Sequence, residues 1–196
     1  MNEFKYDEFN EICKKFGKTC PITDVTITYE SRRYYNRLKN MVQNDRRGEV
    51  VFCVIRPNGK IISITCNEYP EGIYRIPTGG IGHDEDIIDA VFREVREELG
   101  LDVRIRSFGG VVRIRIEHLD DFIMFYSYIF VLDEIGGHLL EDASDDEISG
   151  IKELDISELE EVVEKLASIE GKWKDWGRFR YVTSNAVLNC LKSNSL

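Results

Sequence analysis

The chain has 196 residues, 42% hydrophobic and 32% charged, with a formal net charge of −10. That length suits one good core with a small appendage, and the composition is that of a soluble globular protein. The acidic balance argues against general nucleic-acid binding, which normally carries a basic footprint, but it leaves a nucleotide substrate open, because a bound metal reverses the local field.

In chain order, Met1 to Gly17 mixes acidic and basic residues and lacks the apolar core of a secretory signal. Residues 3–16 predict a short helix with Phe4, Phe9, Ile12, Cys13 and Phe16 as its apolar positions, and 24–29 alternate as a strand. Arg32, Arg33, Arg37, Lys39, Arg46 and Arg47 make 31–47 locally basic. A solvated helix or loop is the expected role there, ahead of an arm contacting phosphate or a partner. Residues 1–47 are thus expected as a helical and strand extension, with the main domain over 48–196.

From residue 48 strands dominate. Glu49 to Arg56 is an apolar run, Asn58-Gly59 is a hairpin signal, and Lys60 to Cys66 is expected to pair back. Tyr74 to Gly80 reads as a short strand broken by Pro77 and the adjacent glycines Gly79 and Gly80, which let the backbone approach a ligand. Val103 and Ile105, then Val112, Ile114 and Ile116, mark alternating stretches. Phe122 to Leu132 is a buried central strand, too short to span a bilayer as a helix. Ile148 to Ile156 is a final strand, and Ser157 to Ala167 a helix with Ser157 as N-cap and Glu160 at the capping-box position. Trp173 to Leu191 is the last helix. Five cysteines, Cys13, Cys20, Cys53, Cys66 and Cys190, show no metal-ligand spacing. Their odd number without a secretion signal points to free thiols in a reducing, cytoplasmic setting.

Residues 85–99 carry the chemistry. Ile87, Ile88, Val91, Phe92, Val95 and Leu99 recur at helical spacing, Asp84, Glu85 and Asp86 place negative charge at the first turn, and Gly100 sits where a left-handed cap is expected. Glu94, Glu97 and Glu98 are spaced i, i+3, i+4, so three carboxylates share one face. They repel one another by a few tenths of a kcal/mol per pair, roughly. Arg93 can offset part of this by pairing with Glu97. A divalent cation would offset more. Mg²⁺ favours carboxylate oxygen and admits substrate phosphates to its shell, where it would polarise phosphorus and activate water. Taken alone, the run from Arg93 to Gly100 would be a solvated helix face.

Gly79 followed after five residues by Glu85, and after seven more by Arg93-Glu94-Val95, Arg96, Glu97-Glu98, Leu99, Gly100 and Leu101, resembles the Nudix box. All seven fixed letters are present, a coincidence of about 10⁻⁸ at one register if each occurs at roughly 7%. The resemblance covers 23 of 196 residues directly. Pro77-Thr78-Gly79-Gly80 departs slightly from the Pro-Gly-Gly common in the family.

The resemblance implies an α/β fold, an α/β/α sandwich with a mixed sheet. It also implies a Mg²⁺-dependent (or Mn²⁺-dependent) hydrolase of a nucleoside diphosphate linked to another group. Glu94, Glu97 and Glu98 are then the expected metal ligands, Glu97 and Glu98 are also expected in catalysis, and Arg93 orients the cluster. The base is expected at Glu147, in the acidic loop Glu141 to Glu147, with Glu141 second and Glu97 or Glu98 as rivals. Arg75, Gly79 and Gly80 are expected to bind substrate, Arg75 by charge-assisted bonds to phosphate. Trp173, Trp176 and Phe179 are expected to close a core rather than stack on a base.

Marks of particular subfamilies are missing, among them the proline of ADP-ribose hydrolases, replaced by Ile116. The lean is to ADP-ribose or another nucleotide sugar over a nucleoside triphosphate, and the extension is where a homodimer would form. A nucleotide sensor without catalysis is disfavoured by the intact glutamates. An isoprenoid diphosphate isomerase would need Cys53 or Cys66 facing a substrate carbon.

Overall fold

The computed structural model describes residues 3–16, 20–144 and 147–194, the side chain of residue 194 excepted. In chain order the elements are α1 (Tyr6–Lys15), β1 (Ile22–Thr28), α2 (Arg32–Asn44), β2 (Arg46–Ile55), β3 (Ile61–Cys66), β4 (Thr78–Gly82), α3 (Ile87–Leu99), β5 (Leu101–His118), β6 (Asp121–Gly137), β7 (Ile148–Leu154), α4 (Ile156–Ala167) and α5 (Lys174–Asn194), the last preceded by a 3₁₀ turn at Gly171–Trp173.

One seven-stranded sheet runs β1-β5-β6-β2-β3-β7, with β4 also paired to β2. β1 runs parallel to β5 and β2 parallel to β6, and the remaining pairs are antiparallel. β2 is central because both its faces are apolar. Val50, Phe52 and Val54 pack towards α1 and α3, while Val51 and Cys53 pack towards α2, α4 and α5. These two clusters make the three layers of an α/β/α sandwich with a mixed sheet, as the sequence leads one to expect. Among the described residues no helix is long and apolar enough to cross a membrane.

β5 and β6 form one long hairpin, closed by His118 opposite Asp121. Register shifts between Ile105 and Ser107 and between Phe108 and Gly110 change the face on which β5 residues point. Val103, Phe108 and Val111 therefore reach the α3 side, while Val112, Ile114 and Ile116 reach the α5 side. This is why the sequence pattern breaks in the middle of a single strand.

Several expected boundaries move. β3 meets β2 only where Ile55 faces Ile61, then pairs with β7 through Ile61 to Cys66. β4 occupies β2's edge instead, from Arg46 to Val51, so the sheet forks between β3 and β4. α3 starts at Ile87, because the Asp86 carboxylate accepts from the N–H groups of Ile88 and Asp89 at 2.7 and 3.2 Å and caps the helix. Glu85 lies outside it. α4 is capped by Asp155, not Ser157: Asp155 and Glu158 form a reciprocal capping box, and the Ser157 hydroxyl donates to Asp155. The basic segment is helix α2, buried through Tyr35, Leu38 and Val42, with Arg32, Arg33 and Arg37 exposed. Its N-terminus is tied to α5, where buried Asp175 accepts from the backbone of Glu30 and Ser31 at 3.0 and 2.7 Å. Arg47 is instead buried, in a two-pronged pair with Glu8 of α1.

Candidate active site

The site is built where α3 lies against β4. Gly79 pairs with Val50 and faces α3, and a β-carbon on Gly79 would overlap the Glu94 side chain. Glycine is needed there for space, not for an unusual φ. At Gly80 a β-carbon would stand 2.7 Å from Arg46 Cζ. The N–H of Gly82 donates to Glu85 Oε2 at 2.9 Å, so the loop before α3 is closed by the box's own first glutamate.

Arg93 is the hub. Its Nε and Nη2 donate to the two oxygens of Glu85 at 2.7 and 2.9 Å, Nη2 also reaches the Gly80 carbonyl at 2.9 Å, and Nη1 donates to Glu94 Oε1 at 2.8 Å and Glu97 Oε2 at 2.9 Å. The expected Arg93–Glu97 pair is present. One guanidinium serves Glu85, Glu94 and Glu97 together, so a single positive charge is shared among three carboxylates. These bonds, those to Glu85 first, hold Arg93 well above its usual range. The same pairing, Arg93 foremost, pulls the Glu85 carboxyl below the usual range. Burial pushes the Glu94 carboxyl up, and Arg93 draws it only partly back.

Among the described residues, no three carboxylate, imidazole or thiol side chains form a ready-made metal cage. The donor set still fits a hard cation. Glu94 and Glu97 turn oxygens towards one shared nitrogen, where positive charge is already held, and Glu98 follows on the same helix face.

The C-terminus of α3 is closed by the loop from His138 to Ser144. Leu140 N–H donates to Leu99 O at 2.9 Å and Ser144 N–H to Glu97 O at 3.0 Å, with Gly100 in the left-handed region at φ 70°. The acidic loop is therefore docked on the box helix. Glu141 is exposed in it and Glu147 is exposed at the foot of β7. Asp145 and Asp146 lie outside the described residues.

Arg75 is buried. It donates to the Tyr69 hydroxyl at 2.8 Å, the Ile76 carbonyl at 3.0 Å and Thr78 Oγ1 at 3.3 Å. Burial pulls its guanidinium down, but neighbouring Tyr69 and Glu98 more than restore it; the bond to Thr78 sets Arg75 beside Gly79. Phe179 is core, 5.5 Å from Phe125. Trp176 is half-buried, 4.6 Å from the Tyr69 ring, and Trp173 packs on Trp176. Cys53 is fully buried and its thiol is pushed up to about 12 by burial, so it offers no reactive sulfur to a substrate.

Sequence reasoning missed Glu49, Tyr69, Thr78 and Arg180. Glu49 is a buried carboxylate in β2, bonded to the Ser127 hydroxyl and to Arg180 of α5. Its signal was a charge at the head of the apolar run from Glu49 to Arg56.

The model of the NUDIX domain matches residues 45–177, well over half of the chain. The chain belongs to the Nudix family. An ADP-ribose pyrophosphatase of Methanocaldococcus jannaschii is 32% identical over 87 residues, 44% of this Nudix chain and 50% of that protein. The chain thus spans about half the length of this curated relative. Among solved structures, a NUDIX hydrolase from Listeria monocytogenes aligns over 75% of this chain and 95% of its own, with a TM-score of 0.51 at 15% identity. A UDP-X diphosphatase aligns over 98% of this chain and 73% of its own, with a TM-score of 0.49 at 11% identity. The likeness to the Listeria protein is one of fold.

Proposed function

We propose that this Nudix protein is a divalent-metal-dependent hydrolase that cleaves the diphosphate linkage of a nucleoside diphosphate joined to another moiety, with 48–196 as its catalytic unit. The observation that carries the reading is the complete box folded as one face, with Glu94, Glu97 and Glu98 following one another on α3 and Glu94 seated against Gly79. ADP-ribose or another nucleotide sugar is the favoured substrate class. The partial likeness to an ADP-ribose pyrophosphatase supports that choice.

Glu94, Glu97 and Glu98 would hold Mg²⁺, with Mn²⁺ as a substitute. When bound, the cation supplies charge neutralisation at phosphate and a more acidic water. Arg93 fixes Glu94 and Glu97 in direction and joins them to the Gly80 carbonyl, so ligands and loop keep one geometry. Gly79 and Gly80, without side chains, let the loop pack directly beneath Glu94 and Arg46, the groups that would meet the substrate. Arg75 offers charge-assisted donors to a phosphate oxygen. Glu147 takes the proton of the attacking water.

The test is incubation with Mg²⁺ and a panel of nucleoside diphosphate derivatives in ¹⁸O-water, read by mass spectrometry. The proposal requires two phosphate-bearing products, one carrying solvent oxygen. Unlabelled products would rule out attack by water on phosphorus. A carbon-skeleton isomer would mean an isomerase, and binding without turnover a sensor.

A further inference from the structure

Two arginines from distant parts of the chain converge on one hydroxyl beside the box. Arg75 Nη1 and Arg180 Nη1 stand 3.3 and 3.0 Å from Thr78 Oγ1, the residue immediately before Gly79. Arg180 also donates to Glu49 Oε2 at 3.0 Å, and Glu49 lies opposite Gly80 in the β2–β4 register. The second Glu49 oxygen accepts from Ser127 Oγ at 2.9 Å. Arg75's hydrogen-bond acceptors are all neutral: Tyr69, Ile76 and Thr78.

Among the described residues no carboxylate bridges the two guanidiniums: Glu49 pairs with Arg180, while Arg75 has only the field of Glu98 nearby. Two guanidiniums share a neutral oxygen, and of the pair only Arg180 is in a salt bridge, with Glu49. Arg75 is buried and Arg180 only partly exposed, so the two like charges are incompletely screened from each other. In addition, Arg180 Nε is buried and has no hydrogen-bond partner among the described residues. A purely structural strut between α5 and β4 would gain nothing from an unused buried donor, and an apolar contact would do as well. Glu98, whose field reaches Arg75, puts the cluster next to the box face.

We infer that Arg180, acting with Arg75, is a substrate-anchoring residue. The pair forms the anion-binding half of the site and takes the phosphate of a nucleoside diphosphate that the box carboxylates do not hold. The planar fork of a guanidinium matches phosphate oxygens in a way an ammonium does not. This rests on the hydrolase reading of the same site, and it gives α5, remote from the box in sequence, a direct part in specificity.

The test is equilibrium binding of ADP in excess EDTA, where a divalent cation contributes nothing. Four proteins are compared: wild type, Arg180→Gln, the paired variant Glu49→Gln/Arg180→Gln, and Arg104→Gln. The paired variant removes both charges of the ion pair, so it leaves no buried Glu49 carboxylate without its partner and guards against misfolding of the single variant. Arg104 is exposed and paired with Asp133, and serves as a control for lost charge. ADP affinity should fall at least tenfold in both Arg180 variants and stay unchanged in Arg104→Gln. KM for a hydrolysed substrate should rise with little change in kcat, and the Mn²⁺-dependent rise in Tm should be preserved. Wild-type ADP affinity in the folded paired variant would overturn the inference and leave Arg180 a strut. So would failure of wild type to bind ADP in EDTA. Arginine-dependent ADP binding without hydrolysis of any diphosphate derivative would sustain the inference and defeat the hydrolase reading.

Discussion

Glu94 lies against Gly79 so closely that no side chain larger than hydrogen fits between α3 and β4. The strand and the helix are thereby locked in one relative position, with a carboxylate at the seam. Gly79→Ala should leave the sheet and both cores folded but push Glu94 off its place beside Arg93. The far-ultraviolet circular dichroism should match wild type, while the rise in Tm on adding Mn²⁺ should be largely lost and kcat should fall at least tenfold, roughly as for a displaced ligand-supporting contact. An unchanged metal response would show that Glu94 swings aside at no consequence.

Arg93→Lys keeps the charge but not the geometry. One ammonium has three donors on a single nitrogen, whereas Arg93 spans Glu85, Glu94, Glu97 and the Gly80 carbonyl with three separate nitrogens. Without divalent metal, Tm should fall by about 2–8 °C, measured by differential scanning calorimetry in EDTA. Saturating Mn²⁺ should narrow the gap, since it neutralises the same carboxylates. Equal melting of the two proteins in EDTA would contradict the hub.

The capping box of α4 gives a prediction in pH. Backbone hydrogen bonding first, then the Ser157 hydroxyl, holds the Asp155 carboxyl down at about 2, against 3.8 for an unperturbed one. A depressed carboxyl stabilises the fold fully above its unfolded value and loses that contribution as pH falls through its folded value. The Tm difference between wild type and Asp155→Ala should therefore be constant from neutral pH to about 5 and shrink between about 4 and 2. A difference that grows on acidification would have the wrong sign.

What the sequence made legible is local. The box helix, its glycine cap and the apolar strands announce themselves within windows of twenty residues or fewer, because helical and strand periods are set by nearest neighbours. The start of the box helix was set two residues early, at Glu85 instead of Ile87, and the α4 cap was placed at Ser157 instead of Asp155, where adjacent acidic or hydroxyl residues offer competing oxygens. The fork of the sheet was not legible, since nothing in Lys60 to Cys66 says that β4 will take β2's edge. Nor was Arg180, whose partners Glu49 and Thr78 lie 131 and 102 residues away. Arg75 was visible as a candidate, but its burial was not, because that depends on Tyr69 and Thr78 closing over it.

Glu147, exposed next to a loop docked on the box helix, is the base we propose. Glu147→Gln should melt as wild type does, bind Mn²⁺ as wild type does, and lose at least tenfold in kcat, about the low end of general-base effects. A pH–rate profile identical to wild type would move the role to Glu141 or to the box itself.

The most direct test of the central claim is the rate of ADP-ribose hydrolysis as Mg²⁺ is titrated into metal-stripped protein, compared among wild type, Glu97→Gln and Glu98→Gln. Each substitution keeps size and helix propensity nearly constant and removes one charge from a repelling face, so the variants should fold at least as well without metal. Wild type should be inactive in EDTA and saturate with Mg²⁺. Both variants should need more metal and turn over at least tenfold more slowly, as expected when a hard cation loses a carboxylate. If wild type turns over undiminished in excess chelator, or if both variants match it at every Mg²⁺ concentration, the three glutamates are only a solvated helix face and the account fails.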